Sequence, residues 1–192
     1  MKLNTSIRSK SFVGIRMFLA LLVFVVSGLV WFHKTRPYHF LTVTPGVLYR
    51  SGWMTPHNEE KIIRKYGIRT VVNLCLPTEY PDRYAEEARI CRENKVQLVN
   101  LPMAGNTPPS EEQTAKWLSL LNNQQKLPIL VHCAQGVMRT NIMVAIYQIE
   151  FLHKGNARVL TELPMFGHEL YVAKRKRLRD FILNYKHSEK PF

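Results

Sequence analysis

Hydrophobic positions in most of the chain alternate between short apolar runs and longer segments with helical spacing. Runs of strand length, rich in Val, Ile and Leu, lie at 39–43, 47–51, 68–76, 96–103 and 127–133. Segments with the apolar spacing of amphipathic helices lie at 55–67, 81–94, 110–123, 139–155, 157–166 and 169–186. Strands that alternate with helices predict an α/β domain with a central, mostly parallel sheet flanked by helices.

Local residue choices predict where several of these helices begin and end. Ser110 and Gln113 have the spacing of a capping box, and Pro81 suits a first helical turn. Gly67 and Gly155 each follow a helical segment, and glycine is the residue that most often ends a helix. These signals predict helix starts near 81 and 110 and helix ends near 67 and 155.

A long uncharged run occupies the N-terminal part of the chain. Residues 17–32 carry no charge and would rise about 24 Å as a helix; a start at Phe12, with Arg16 snorkelling, gives about 31 Å. We expect a transmembrane signal anchor at 12–32, between a basic segment at 1–11 and a linker at 33–39. A cleaved signal peptide or a buried core helix is an alternative, but no small-residue cleavage site closes the run and no polar residue gives it an exposed face.

The charges around this run indicate which side of a membrane the rest of the chain would occupy. Four Lys or Arg residues precede residue 17 and three more follow the run up to Arg50. The positive-inside rule therefore leans slightly towards an extracytoplasmic position for the remainder. The chain has three cysteines, so at least one of them would stay unpaired there.

Composition and charge limit the partners of the remaining domain. The chain has 192 residues, of which 46% are hydrophobic, and this is enough for one well-buried core. We expect that domain at 40–187, followed by a short tail at 188–192. The formal net charge of +13 favours anionic partners such as phosphates or lipid headgroups. No nucleic-acid-binding motif is present, so nucleic acid is not expected, and nothing indicates an oligomeric state.

The sequence VHCAQGVMRT, at 131–140, places Cys133 and Arg139 at the two ends of one strand-to-helix loop. Such a loop directs backbone N–H groups and the positive end of a helix dipole at one point, which is a binding site for an anion. Arg139 can grip two phosphate oxygens at once, and the same positive field lowers the pKa of a cysteine thiol. The predicted phosphate-binding loop comprises Cys133, Ala134, Gln135, Gly136, Val137, Met138 and Arg139.

The neighbours of the loop have roles that follow from their chemistry. Gly136 allows the backbone to approach bound oxygens closely, where a side chain would obstruct. Thr140 can donate a hydrogen bond to the Cys133 thiolate, and His132 can orient the loop through hydrogen bonds to backbone carbonyls. Arg50 could widen the basic field around the site, and Met138 would either make the rim apolar or pack on the core.

HCAQGVMRT resembles the His-Cys-x5-Arg-Ser/Thr signature of the protein tyrosine phosphatase superfamily. The chain is most similar to dual-specificity and atypical dual-specificity phosphatases, because GVLYRSG, YGIRTVVNL, LPM with PPSEEQ, and LTELPMFGHEL occur in the order typical of that group. The resemblance extends over about residues 40–185. Arsenate reductases and rhodanese-like enzymes also use Cys-x5-Arg loops, but the former place the loop near the N-terminus and the latter usually lack this His and Thr.

The resemblance implies a phosphatase that uses Cys133 as nucleophile and forms a thiophosphoryl-cysteine intermediate, and the expected N-terminal anchor would hold it at a membrane. Cys133, Arg139, Thr140 and His132 would be its catalytic residues, and no metal or other cofactor is expected. The implied substrates are proteins phosphorylated on Tyr, Ser or Thr, inositol phosphates, or lipid phosphates. The alternative is a non-catalytic phosphate-binding module at the membrane.

One part of the family pattern is missing. Members commonly carry an aspartate upstream of the nucleophile that protonates the leaving oxygen, but residues 101–113 contain none. Glu111 and Glu112 are the candidate general acids, although acids in a first helical turn are also favoured by the helix dipole. Asp82 is a weaker candidate because it lies far upstream. Without an acid, substrates with good leaving groups would be favoured.

Overall fold

The computed structural model describes residues 6–35, 37–105, 107–163 and 176–187. The chain divides into two compact units, Met1–Arg36 and Pro37–Phe192. In the first unit, the described residues form one helix, α1 (Ser6–Thr35). The start of the predicted basic segment, the predicted tail at 188–192 and most of LTELPMFGHEL lie outside the described residues.

The expected transmembrane anchor at 12–32 is wrong. Within the part of the chain that the structure describes, no helix combines the length and the apolar character needed to cross a membrane. The uncharged run at 17–32 is too short, since about 24 Å of helix does not cover a hydrocarbon layer of about 30 Å. Lengthening it towards Phe12 brings Arg16 into the layer, where a charge is unfavourable. The membrane as a partner, the single-pass anchor and the extracytoplasmic position inferred from it are therefore withdrawn.

The second unit is built on a five-stranded sheet with the order β1-β2-β5-β3-β4. Its strands are β1 (Leu41–Thr44), β2 (Leu48–Gly52), β3 (Thr70–Asn73), β4 (Gln97–Asn100) and β5 (Ile129–Cys133). β1 pairs antiparallel with β2, and every other neighbouring pair is parallel. The predicted α/β architecture with a mostly parallel sheet is confirmed.

Helices cover both faces of this sheet. They are α2 (Pro56–Tyr66), α3 (Pro81–Glu93), α4 (Glu111–Asn122), α5 (Met138–Glu150), α6 (Asn156–Thr161) and α7 (Lys176–Leu183). Successive strand residues face opposite sides, so Val71 packs with residues of α2 and α3 while Val72 packs with residues of α4, α5, α6 and α7. The sheet is therefore buried on both faces, as expected for apolar parallel strands.

The helix ends follow the predicted signals with one exception. The Ser110 and Gln113 capping box is formed at the start of α4, and Gly67 ends α2 with a left-handed backbone. The helix expected to run to Gly155 instead ends at Glu150, and Gly155 is the N-cap residue of α6. A glycine between two helical segments can end the first or begin the second, and the periodic pattern does not separate the two cases.

The strand order decides which loops meet. β5 lies at the centre of the sheet between β2 and β3, and these three strands are parallel. Their carboxyl ends therefore lie at one edge, where ligands bind in open α/β sheets. The loops after Gly52, Asn73 and Cys133 are brought together at this edge.

Candidate active site

Cys133 is the last residue of the central strand β5, and Arg139 is the second residue of α5. The four residues between β5 and α5 form the loop that the sequence predicts. Both side chains line one cavity of about 500 Å³. Its other lining residues are Tyr80, Ala104, Gly105, Thr107, Ala134, Gln135 and Met138. A thiol and a guanidinium thus share a single site.

Gly136 shapes the loop around the Cys133 sulfur. Its φ of 68° lies in the left-handed region, and its N–H donates to Cys133 Sγ at 3.2 Å. A Cβ at this position would lie 2.4 Å from the backbone oxygen of Ser51 and from the backbone nitrogen of Gly52. The loop therefore rests directly on the end of β2, and only glycine fits there.

The surroundings of the Cys133 sulfur favour its ionised, thiolate form. Thr140 Oγ1 lies 3.2 Å from Sγ, so its hydroxyl donates to the sulfur as expected. Burial favours the neutral thiol, but hydrogen bonds from Thr140 and Gly136 and the charge of Arg139 outweigh it and lower the pKa of Cys133. A thiolate near neutral pH is the nucleophilic form.

Arg139 is held by three groups at one nitrogen. Its Nη1 donates to the carbonyl oxygens of Leu74 and Met103, at 3.3 and 3.2 Å, and lies 2.9 Å from Glu79 Oε2. Burial opposes the charged guanidinium, but the sulfur of Cys75, the sulfur of Cys133 and the carboxylate of Glu79 raise its pKa. Arg139 is therefore a cation held in a fixed position at the Cys133 cavity.

His132 is buried and pairs with a carboxylate. Its Nε2 lies 2.8 Å from Glu87 Oε1, and Glu87 Oε2 accepts a hydrogen bond of 2.6 Å from Asn73. The hydrogen bonds to backbone carbonyls that we expected are not formed among the described residues. Burial favours the neutral ring, but Glu87 outweighs this effect and raises the pKa of His132 to about 9. The residue before Cys133 is thus anchored to α3 instead of to the loop.

The sequence-predicted general acids lie away from the cavity. Glu111 and Glu112 are exposed in the first turn of α4, and Asp82 is exposed in the first turn of α3. Asp82 lines a different cavity, of about 190 Å³, together with Glu59 and Arg83. Among the described residues that line the Cys133 cavity, none is acidic.

Sequence reasoning missed Glu79, the carboxylate that contacts Arg139. It lies in the loop between β3 and α3, and its contact with Arg139 joins residues 60 positions apart. The only available signal was indirect: a loop that follows a strand next to β5 would reach the same edge of the sheet. Sequence reasoning also left Arg50 as part of a diffuse basic field, whereas the structure buries it beneath the loop.

Residues 44–176 match the family described as a DSP-PTPase phosphatase fused to NAD+ kinase. The chain belongs to this family. The resemblance to dual-specificity phosphatases is thereby confirmed. The match lies within the predicted catalytic domain at 40–187, whose limits remain a prediction.

The curated relatives are longer than the segment that matches this chain. The chain is 30% identical over 112 residues to the inositol diphosphatase DSP3 of Arabidopsis thaliana, covering 56% of this chain and 52% of that protein. It is 29% identical over 124 residues to the probable NAD kinase 2, chloroplastic, of Oryza sativa subsp. japonica, covering 60% of this chain and 12% of that protein. The chain thus spans about half or less of the length of these two relatives.

Solved structures share the fold of this phosphatase domain. The core catalytic domain of the PP-IP phosphatase SIW14 from S. cerevisiae superposes with a TM-score of 0.64 at 23% identity, covering 80% of this chain and 88% of that chain. TpbA from P. aeruginosa superposes with a TM-score of 0.58 at 19% identity, covering 76% and 89%. At these identities the likeness establishes the fold alone.

Two buried ionisable groups, Glu59 and His132, give a testable dependence of stability on pH. Burial, followed by the charge of Glu87, raises the pKa of Glu59 to about 8, and the pKa of His132 is raised to about 9. The stability contributed by the protonated form of His132 is complete below its ordinary pKa and is lost as pH rises through about 9. The protonated form of Glu59 is likewise favoured in the folded state, so its contribution is lost as pH rises through about 8.

We therefore expect the melting temperature to fall between about pH 6 and about pH 9, and the fall to be smaller in Glu59→Gln. Glutamine keeps the shape of the protonated carboxyl but cannot ionise. Thermal unfolding of the wild type and the variant at steps of pH measures both slopes. An exposed control, Glu111→Gln in the first turn of α4, should leave the slope unchanged. Equal slopes in Glu59→Gln and the wild type would contradict this assignment.

Proposed function

We propose that this chain hydrolyses phosphate esters or anhydrides through a covalent cysteine intermediate. The Cys133 thiolate attacks phosphorus, and the bond from phosphorus to the leaving oxygen breaks with its electron pair going to that oxygen. Water then attacks the thiophosphoryl group, which releases phosphate and restores the thiolate. The observation that carries the proposal is Cys133 Sγ, which accepts hydrogen bonds from Gly136 and Thr140 in the cavity that Arg139 lines.

Each group around the sulfur has a role in this reaction. Arg139 and the loop N–H groups bind the equatorial oxygens, where negative charge is concentrated in the transition state. The Thr140 hydroxyl stabilises the thiolate, first as nucleophile and then as the leaving group of the second step. Glu79, which pairs with Arg139, holds the guanidinium beside the cavity before substrate binds.

For the substrate we propose a phosphoanhydride, a diphosphorylated inositol being the first candidate. The described lining of the cavity supplies no carboxyl group to protonate a departing oxygen. A phosphate leaving group needs little protonation, unlike the alkoxide of a serine or a singly phosphorylated inositol. The name of the Arabidopsis thaliana relative, an inositol diphosphatase, supports this choice.

Phosphotyrosine in a protein is the second candidate, because its phenolate also leaves without much protonation. Relatives named protein tyrosine phosphatases in Leishmania major and Mus musculus support it. A non-catalytic phosphate-binding module is the remaining alternative. It is disfavoured because Cys133, Arg139 and Thr140 are all present and already in mutual contact or in one cavity.

The deciding experiment is phosphate release by the full chain from a panel of substrates in the presence of a chelator. The panel contains a diphosphorylated inositol, a phosphotyrosine peptide, a phosphoserine peptide, a phosphatidylinositol phosphate and p-nitrophenyl phosphate. Rapid quenching followed by mass spectrometry should show a phosphorylated Cys133 peptide. Binding of inorganic phosphate without any phosphate release would support the non-catalytic module instead.

We expect the rate to depend steeply on the quality of the leaving group. Without an acid, the departing oxygen carries the developing charge, so kcat/KM should fall strongly as the leaving-group pKa rises in a series of aryl phosphates. The Glu111→Gln, Glu112→Gln double variant should show the same slope as the wild type. A shallow wild-type slope that steepens in this double variant, or in Glu79→Gln, would identify a glutamate as the general acid and contradict the proposal.

A further inference from the structure

Arg50 lies beneath the phosphate-binding loop, in β2, and its residue surface is only 1% exposed. Its two terminal nitrogens reach different elements. Nη2 donates to the backbone carbonyl of Gly136 in the loop, and Nη1 donates to the side-chain carbonyl of Asn141 in α5. Arg50 therefore ties the loop to the start of the helix that follows it.

The other loop carbonyls before Gly136 are also held by neighbouring parts of the fold. The Trp53 N–H donates to the carbonyl of Ala134 at 3.1 Å. His39 Nδ1 lies 2.7 Å from the carbonyl oxygen of Gln135. Together with the Arg50 contact, three successive carbonyls of the loop are engaged by groups outside it.

These carbonyl contacts determine where the loop N–H groups point. In a trans peptide, the C=O of one residue and the N–H of the next point in opposite directions. The peptide after Gln135 shows the consequence, because its N–H, that of Gly136, donates to Cys133 Sγ. By the same geometry, the Arg50 contact to the carbonyl of Gly136 turns the N–H of Val137 away from Arg50.

The charge of Arg50 adds to this geometric effect. Burial lowers the pKa of Arg50 to about 10, while the charge of Cys133 opposes that change. The guanidinium therefore stays protonated near neutral pH. Because the interaction between the two charges is mutual, the Arg50 cation favours the thiolate form of Cys133.

We propose that Arg50 is a positioning residue that fixes the Gly136–Val137 peptide so that its N–H is available to the phosphoryl group, with Asn141 fixing the guanidinium of Arg50. The proposal rests on the proposed phosphatase function for its catalytic consequence. Arg50 does not touch substrate; it acts through the loop. Lysine cannot replace it, since one ammonium on a flexible chain lacks the planar fork that reaches two acceptors at once.

The experiment compares Arg50→Met, Arg50→Lys and Asn141→Ala with the wild type, using the full chain. The rate at which iodoacetamide alkylates Cys133, followed by mass spectrometry against pH, measures the pKa of the thiol without any turnover. Titration with inorganic phosphate measures binding of the anion, and hydrolysis of p-nitrophenyl phosphate measures kcat and KM. Arg89→Met serves as control, since Arg89 forms ion pairs with Glu86 and Glu93 on the surface of α3.

In Arg50→Met we expect the alkylation profile to move to higher pH by about one unit, because a nearby cation is lost. We expect kcat to fall by about 100-fold, as when one preorganised donor to a transition-state oxygen is removed. Arg50→Lys should keep most of the alkylation profile but lose about tenfold or more in kcat, because the charge remains and the fork does not. Asn141→Ala should also keep most of the alkylation profile and lower kcat, but by less than Arg50→Lys does. Arg89→Met should match the wild type in all three measurements.

A folded Arg50→Met with wild-type alkylation, phosphate affinity and kcat would overturn the proposal. If Arg50→Met does not fold, Arg50→Lys decides, and wild-type kcat and phosphate affinity in that variant would overturn it. The failure of the proposed function is distinguishable. If the wild type hydrolyses no phosphate ester, the proposed function is rejected. If the alkylation profile and the phosphate affinity still change in the variants as expected, the positioning role is retained.

Discussion

Replacement of Cys133 by Ser should lower kcat by on the order of 10⁴-fold or more, while binding of inorganic phosphate persists. A serine hydroxyl is not ionised near neutral pH, and the hydrogen bonds from Thr140 and Gly136 that stabilise a thiolate cannot supply a comparable alkoxide. The groups that bind the anion, Arg139 and the loop backbone, remain in place. Phosphate release from p-nitrophenyl phosphate and calorimetric titration with phosphate measure the two expectations separately.

Of the other two cysteines, Cys91 provides a control for this substitution. Cys91 is buried in α3, where burial raises the pKa of its thiol, and it lies outside the Cys133 cavity. Cys91→Ala should therefore retain wild-type kcat. Cys75 is less suitable because its thiol interacts with the backbone of Ala134 in the loop. Full activity in Cys133→Ser would show that another group is the nucleophile.

The parts of the site that lie close together in sequence could be predicted from it. One continuous segment contains the apolar run at 127–133, the short loop and the helix predicted to start near Arg139. The structure has β5, the loop and α5 at these positions. The contact of Thr140 with Cys133 was predictable for the same reason, because a residue in the first turn of the helix faces the end of the strand. Local geometry alone determines these contacts.

The partners supplied by other strands and helices could not be predicted in this way. Glu79 meets Arg139, and Glu87 meets His132, only because β3 lies beside β5 and α3 follows β3. The pattern of the chain indicates a parallel sheet but not its strand order. His132 was therefore expected to contact the loop, whereas a carboxylate from α3 lies within 2.8 Å of its ring.

The N-terminal prediction failed for a different physical reason. An uncharged run of sixteen residues is intermediate between a core helix and a membrane span, and the span required that Arg16 be accommodated within the hydrocarbon layer. The helix α1 has 30 residues, but this length does not make it a membrane span, because only its apolar portion could lie in the hydrocarbon layer. Hydropathy patterns are least decisive for runs of this intermediate length.

Charges of both signs lie around Cys133. Arg139 and Arg50 both interact with the Cys133 thiolate, and behind the strand the His132 ring pairs with Glu87. The charge of the His132 ring interacts favourably with the thiolate, and Glu87 holds that ring in place. The lowered pKa of Cys133 therefore depends on groups from the loop, α5 and β2, namely Gly136, Thr140, Arg139 and Arg50.

The arrangement at Arg139 leads to the second large expected effect: Arg139→Lys should lose about 100-fold or more in kcat/KM, equivalent to at least about 2.7 kcal/mol of transition-state stabilisation. The loss is expected although the charge is kept. Nη1 of Arg139 is already committed to the carbonyls of Leu74 and Met103 and to Glu79. An arginine can make these contacts with one nitrogen and present the rest of its planar fork to phosphate oxygens. A lysine has one ammonium for both tasks and no bidentate geometry.

Steady-state kinetics with p-nitrophenyl phosphate measure this loss, and two comparisons separate its causes. Arg64→Lys, an exposed arginine on α2, controls for a conservative change of the same kind elsewhere. Glu79→Gln removes the carboxylate that holds the guanidinium but keeps the fork, so it should raise KM for phosphate esters less than Arg139→Lys does. A loss below about tenfold in Arg139→Lys would mean that the fork does not grip the phosphoryl group, because a bidentate contact in the transition state contributes more than that. In that case the loop N–H groups alone would bind the phosphoryl oxygens, and the contacts of Arg139 with Leu74, Met103 and Glu79 would serve only to hold neighbouring loops together.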